Sequence, residues 1–147
     1  RPPRSTLFPY TTLFRSLESL IQTYEIGSSL RQNLCYSAKQ IAENIGAKAI
    51  IVESATGHVP RIMAHFRPKC PIIAVVTDET VCKKLCLYWG LVPVLCDEKK
   101  TIEEITNQSK KKALETGLVK KGDTVIVLTS TRALNRAGTD TLVIRDI

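Results

Sequence analysis

The chain alternates between stretches with helical periodicity and short, continuous apolar runs. The first helical stretch covers 28–45, where Ser28 or Ser29 can cap the helix and Gly46 can end it. Its apolar positions recur every three or four residues, as expected of a helix that packs one face on a core. The residues expected on that face are Leu30, Leu34, Ser37, Ala38, Ile41, Ala42 and Ile45.

Five short apolar runs predict strands, which in chain order read AKAIIVES, PIIAVVT, LVPVLC, TVIVLT and TLVIRDI. The first two are expected to be buried, because their apolar residues do not alternate with polar ones. Further helical patterns cover 59–66, 79–89 and 101–117, and Thr101 is the expected cap of the last one. The residues expected to face inward from that last helix are Ile102, Ile105, Ala113 and Leu114.

Strands separated by helices indicate a mostly parallel sheet that is covered on both faces. Only STRALNRAG joins the last two apolar runs, so the fifth strand is expected to lie antiparallel at an edge. The pattern therefore predicts one α/β domain, a three-layer α/β/α sandwich around a five-stranded, mostly parallel sheet. No internal repeat or linker divides it.

Residues 1–16 break this order. They carry three of the seven prolines, repeat the string TLF, and have neither helical nor strand periodicity. The string STLFPYTTLFRS resembles the translation of a common sequencing-library adapter. We therefore interpret 1–16 as an artefact without fold, the alternative being a natural disordered tail.

The basic balance of the chain weakens once this segment is set aside. The formal charge is +7, but three of the 21 basic residues and none of the 14 acidic ones lie in 1–16, so the rest carries +4. That charge, without basic patches interleaved with aromatic residues, is weak support for nucleic-acid binding.

The five cysteines lack zinc or disulfide spacing and are expected to be reduced thiols of a cytoplasmic protein. No apolar run is long enough for a membrane span.

Two loops follow predicted strands at the edge where α/β proteins bind ligands. The first consists of Ser54, Ala55, Thr56, Gly57 and His58 and leads into a helix, so its hydroxyls and free N–H groups suit a phosphate. A simple turn with a helix cap fits the same residues. The second loop covers 129–139, where Thr129, Arg132, Arg136 and Gly138 could close over a ligand; it fits equally a solvated connection. We find no catalytic or metal-binding set of residues.

Four segments resemble the C-terminal domain of pyruvate kinase. They are FRP at 66–68 with PIIAV at 71–75, WGLVP at 89–93, and KGD at 121–123, in the order and spacing of that family. The resemblance covers 28–147 and implies that 17–27 leads in from a barrel domain upstream. The family transfers a phosphoryl group from phosphoenolpyruvate to ADP in that barrel, with magnesium and usually potassium. The chain alone is therefore expected to be inactive and without cofactor.

The resemblance also implies partners and a ligand. In the family this domain contacts its own barrel and the other subunits of a homotetramer, and it binds a sugar phosphate or nucleotide effector. The phosphate site corresponds to Ser54–His58, and the loop before the last strand covers it. Neither nucleic acid nor a membrane is an expected partner.

The match departs from the family at both loops. Many relatives carry an arginine or lysine where Ala55 and His58 stand, and the second loop ends in Asp140-Thr141 instead of a Thr-Asn pair. Arg132 and Arg136 could supply the missing charge, whereas Asp140 would repel a phosphate. Fructose 1,6-bisphosphate is thus less expected than a monophosphate or no effector. The alternative function is a free-standing, non-catalytic protein of this fold that binds a phosphorylated metabolite.

Overall fold

A computed structural model describes residues 29–97, 102–130 and 139–147. These form four helices and five strands. In chain order they are α1 (Leu30–Ile45), β1 (Ala49–Glu53), α2 (His58–His65), β2 (Ile72–Val76), α3 (Glu79–Leu85), β3 (Leu91–Leu95), α4 (Ile102–Glu115), β4 (Thr124–Thr129) and β5 (Thr141–Asp146). The segments 1–16 and 17–27 lie outside the described residues.

The five strands form one sheet in the order β3-β2-β1-β4-β5. The strands β1 to β4 are parallel, with Ile50 of β1 opposite Ile72 on one side and Ile126 on the other. The strand β5 runs antiparallel to β4. The predicted α/β class, strand number and antiparallel last strand are confirmed.

Each face of the sheet has its own apolar cluster, as the uninterrupted strands require. On one face, alternate residues of β1, β2 and β4 pack against α1, α2 and α3. On the other face, the intervening residues pack against α4, mainly through Ala113. The layers are thus unequal, with three helices on one side and one on the other among the described residues.

The buried face of α1 agrees with the predicted one at Ala38 and Ala42, and Leu34 and Ile41 pack partly buried against the core, but other positions differ. Cys35, Ala38 and Ala42 are the buried residues, whereas Leu30 and Ile45 are 67% and 45% exposed. A 16-residue helix is about 24 Å long, while a five-residue strand spans about 16 Å, so both ends of α1 project beyond the sheet. Ser37, also expected inward, is exposed because it lies beside the stripe and not on it.

Two other helix predictions need correction. The helix α3 ends at Leu85 and not near Trp89, since Leu87 and Tyr88 donate to carbonyls three residues back and tighten the chain into a turn before β3. In α4, Ala113 is buried as predicted, but Leu114 is 39% exposed. The predicted cap Thr101 and the side chains of Ile102 and Ile105 lie outside the described residues.

Candidate phosphate-binding site

The four parallel strands end at one edge of the sheet, which we call the carboxyl edge. Because β2 lies on one side of β1 and β4 on the other, the chain reverses its winding between β1 and β4. Such a switch point leaves a crevice beyond the strand ends, where α/β proteins bind ligands. The segment Ser54–His58 follows β1 there, and Thr129 ends β4 beside it.

The loop after β1 is fixed by its own hydrogen bonds. The Ser54 amide donates to the Val75 carbonyl at 3.0 Å, which extends the pairing of β1 with β2 by one residue. The Ser54 hydroxyl oxygen accepts from the Gly57 amide, also at 3.0 Å. This side chain therefore closes the loop and leaves Ala55 and Thr56 exposed at its tip.

Gly57 is required twice over at the start of α2. Its φ is +72°, a left-handed conformation that side chains disfavour. A Cβ atom added there would lie 2.8 Å from Cγ1 of Val81, so α3 packs directly against the glycine. The close approach holds the loop against α3 and fixes where the first turn of α2 begins.

The first turn of α2 presents unsatisfied backbone donors. In the described structure no side chain caps this helix, so the amides of His58 and Val59 are available at its positive end. Pro60 follows them and lacks an N–H of its own, which costs nothing in a first turn. His58 is exposed beside these donors.

Arg61 brings a guanidinium to the same place, a residue that sequence reasoning did not select. Its Nε donates to the Gly57 carbonyl at 3.3 Å, so the charged group lies over the start of α2. The spacing could have identified it, because a residue four positions after the cap returns to the same side of a helix. The loop thus has a basic group nearby although neither Ala55 nor His58 is an arginine or lysine.

The second predicted loop is described only at its two ends. Thr129 is buried, and its hydroxyl donates to the Glu53 carboxyl at 2.5 Å. Its hydroxyl is thus turned towards β1 and away from solvent. Arg132, Arg136 and Gly138 lie outside the described residues.

Glu53 is the second residue that the sequence analysis missed. It ends the apolar strand β1 with only 9% of its surface exposed. Burial raises the pKa of its carboxyl, while the nearby Ser109 and Thr129 hydroxyls lower it. A charged residue inside a run that is otherwise buried on both faces was the available signal.

The remaining polar chemistry is sparse in the part of the chain that the structure describes. No three His, Cys, Asp or Glu side chains come together there as a metal site would require. All five cysteines are free thiols, and burial raises the pKa of Cys35 to about 12.

A cavity of about 330 Å³ lies farther along the carboxyl edge and does not include the loop after β1. It is lined by Thr77, Leu95, Cys96, Asp97 and Lys112. None of the described helices is both long and apolar enough to cross a membrane.

Comparison with known proteins identifies the family of this chain. The model of the family "Pyruvate kinase, alpha/beta domain" matches residues 32–145. The chain belongs to the pyruvate kinase family. Within that family, it resembles pyruvate kinase of Clostridium acetobutylicum with 42% identity over 58% of the chain, and that of Sporosarcina psychrophila with 30% identity over 88%. It is 32% identical over 76% of its length to the chloroplastic pyruvate kinase isozyme A of Ricinus communis.

These matches cover a small part of each relative. The chain spans 18% of the Clostridium pyruvate kinase, 22% of the Sporosarcina enzyme and 19% of the Ricinus enzyme. It therefore corresponds to the alpha/beta domain of pyruvate kinase, the part of the enzyme that the matched family model describes.

Proposed function

We propose that this chain is the regulatory and oligomerising domain of a pyruvate kinase, and that Ser54–His58 binds the phosphate of its effector. The parent enzyme transfers phosphoryl from phosphoenolpyruvate to ADP in a barrel domain. The carrying observation is the start of α2 at the switch point, where a closed loop, two free amides and Arg61 converge.

Physical chemistry supports an anion at this position. The amides of His58 and Val59 point out of a helix start, where the aligned peptide dipoles favour negative charge by about 0.3–1 kcal/mol at an exposed site. The Arg61 guanidinium adds a full charge and further N–H donors. One such cluster fits one phosphate group, which favours a monophosphate over a bisphosphate.

The other expected partners belong to the same proposal. Magnesium and potassium would be held by the barrel of the parent enzyme and not by this domain, and the enzyme would work in the cytoplasm. The exposed side chains of Leu87, Tyr88 and Trp89 form what we call the α3–β3 patch. The patch lies at the amino edge of the sheet, opposite the loop, and we expect the barrel or another subunit of a homotetramer to cover it.

The test is a variant of the full-length enzyme made from the native gene. Thr56→Ala combined with Arg61→Gln removes a hydroxyl and the charge but keeps Ser54, whose hydroxyl closes the loop. We expect the activation by ribose 5-phosphate, AMP or fructose 1,6-bisphosphate to be lost, with kcat in the absence of effector unchanged. The reason is that an effector shifts an equilibrium only by its differential affinity, typically ~1–3 kcal/mol.

A matched control is Lys121→Gln, which removes an exposed positive charge at the opposite edge of the sheet. It should leave the response to each effector as in the wild type. If activation survives in the double variant, the loop after β1 is not the phosphate site.

The non-catalytic role of the domain has its own test. The purified 147-residue chain should form no pyruvate from phosphoenolpyruvate and ADP with magnesium and potassium present. A read of the native gene upstream of the Leu17 codon separates the two candidate proteins. A barrel-coding stretch in frame supports the pyruvate kinase, and a start codon close to Leu17 supports the free-standing binding protein.

A further inference from the structure

Glu53 joins three segments that are far apart in the chain, one through its carboxyl and one through its backbone carbonyl. Thr129 at the end of β4 donates to its Oε2 at 2.5 Å. Thr139, just before β5, donates to its backbone carbonyl at 3.5 Å. The proposed phosphate loop starts at the next residue, Ser54. Glu53 is thus the contact between the end of β1 and both described ends of the second loop.

One half of this carboxyl is left without a partner among the described residues. No described group donates a hydrogen bond to Oε1, although the atom is buried. The Ser109 hydroxyl of α4 lies near enough to lower the pKa of Glu53, yet it too lacks a partner in hydrogen-bond geometry. An ionised carboxylate with a bare buried oxygen is costly, whereas a neutral acid can offer a proton to a hydroxyl oxygen.

Among the described residues, the contacts of this carboxyl come from hydroxyls and not from a group of opposite charge. Val75 lies opposite Glu53 on β2, and α1 to α3 cover the other face of the sheet. The charged side chains described on the elements packed against it are Glu104, Lys110, Lys111, Lys112 and Glu115 on α4, and Asp140 after Thr139. Lys110 donates to the Asp146 carbonyl and Lys112 pairs with Glu115, and within the described part of the chain no charged group is among the causes that shift the pKa of Glu53.

We propose that Glu53 makes the junction of β1, β4 and the segment before β5 sensitive to pH. The neutral acid stabilises this junction, and the carboxylate weakens it. This role goes beyond the proposed effector site and concerns the fold itself. Glu53 acts here as a positioning residue for the strand ends on either side of the switch point.

The direction of the pH dependence follows from linkage. Burial raises the pKa of Glu53 above 4.5, the value of an unperturbed glutamate. The folded protein then binds more protons than the unfolded chain at pH values between 4.5 and the raised pKa. Stability is therefore full below that window and falls as the pH rises through it. Within the window the unfolding equilibrium constant rises by up to about tenfold per pH unit.

The experiment is urea unfolding of the 147-residue chain from about pH 4.5 to about pH 9, for the wild type and for Glu53→Gln. Glutamine has the shape of the neutral acid and cannot ionise, so the variant should lose the fall in stability and unfold at higher urea than the wild type above about pH 7. Glu79→Gln is the matched control, because Glu79 is an exposed carboxyl in a surface ion pair with Lys83. It should keep the wild-type pH profile.

A second variant tests the geometry without touching the acid. Thr129→Val removes a donor that stabilises the carboxylate, so the fall in stability should continue to higher pH than in the wild type. Carbon-13 NMR of the Glu53 carboxyl should show a titration midpoint above 4.5, the pKa of an unperturbed glutamate. Parallel pH profiles of the wild type and Glu53→Gln, or a Glu53 titration midpoint at or below 4.5, would overturn the proposal.

The consequence for ligand binding rests on the proposed function. If Ser54–His58 binds phosphate, ionised Glu53 at its border should weaken the binding, and inorganic phosphate should stabilise the wild type less at about pH 8.5 than at about pH 6. In Glu53→Gln that difference should shrink. The unfolding profiles are measured without ligand, so absence of phosphate binding would count against the proposed effector site alone.

Discussion

The position of the candidate site depends on Gly57, because no residue with a larger side chain than its single hydrogen atom fits there. Its left-handed φ and the 2.8 Å that would separate an added Cβ from Cγ1 of Val81 are independent demands on one residue. A substitution must therefore strain the backbone and also displace α3. The loop and the helix start that would bind an anion both depend on this contact.

Gly57→Ala should destabilise the protein more than a matched glycine change elsewhere. Gly46 has a φ of +67° but no atom within 4 Å of an added Cβ, so Gly46→Ala costs backbone strain alone, about 1 kcal/mol. At Gly57 the overpacking adds ~1–3 kcal/mol. Urea unfolding of both variants measures the difference, and equal losses of stability would contradict the described packing of α3 on the loop.

At the scale of elements, α1 owes its place to small side chains. Its three buried residues are Cys35, Ala38 and Ala42, so the helix lies close to the sheet and its larger apolar residues pack only partly. Small residues at this contact leave no room for added volume. The helix is positioned by close approach and not by interdigitating large chains.

Ala38→Leu should therefore be strongly destabilising, by about 1–3 kcal/mol, because the extra volume must displace α1. The matched control is Ser37→Leu on the next, exposed position of the same helix, which should change the free energy of unfolding by less than about 0.5 kcal/mol. Thermal and urea unfolding of the two variants provide the measurement. A tolerant Ala38 would mean that α1 is free to move outward.

The elements were predictable to the degree that local pattern controls them. Continuous apolar runs identified all five strands, and the lack of room for a crossover identified the antiparallel β5. The start of α3 is also local, since the Asp78 carboxyl just before it accepts from the amides of Thr80 and Val81. Periodicity alone could not identify the exposed ends of α1, since exposure depends on the length of the sheet beneath.

The site was predictable in its loop and not in its neighbours. Ser54 and Gly57 belong to a local turn whose hydroxyl, glycine and helix start are all visible in sequence. Glu53 and Thr129 are 76 positions apart, so only the pairing of β1 with β4 brings them together. Helical spacing could have placed Arg61 beside the loop only once the first residue of α2 was known. Without that residue, a single exposed arginine does not indicate a binding site.

At the scale of the whole molecule, the α3–β3 patch is an exposed apolar surface of the described residues that contacts within the domain do not cover. Leu87 is 87% and Trp89 67% exposed, and the Arg67 guanidinium lies over the Trp89 ring, 5.7 Å from its centroid. Trp89 is therefore not part of the core of this domain. A surface of this kind is typical of a contact with another domain or subunit.

Leu87→Asn should affect the full-length enzyme but leave the stability of the isolated domain nearly unchanged. In the 147-residue chain the free energy of unfolding should change by less than about 0.5 kcal/mol, because the side chain is already exposed. In the proposed full-length enzyme the melting temperature, or the content of the expected tetramer, should fall. Leu30→Asn serves as the control, since Leu30 is also exposed but lies at the opposite edge. An unaffected full-length enzyme would show that nothing covers the patch.

The central position of β1 has a consequence for synthesis on the ribosome. The strands β2 and β3 follow β1 closely, whereas β4 begins only at Thr124, some 70 residues later. At ordinary translation rates that interval lasts roughly 4–14 s, during which β1 is an open edge rich in isoleucine and valine. Charged residues on exposed edges discourage intermolecular pairing. Until β4 is synthesised, Glu53 would be solvated and ionised, and its charge would protect the nascent chain from aggregation. In the folded domain the same charge is unfavourable, because the carboxyl is buried.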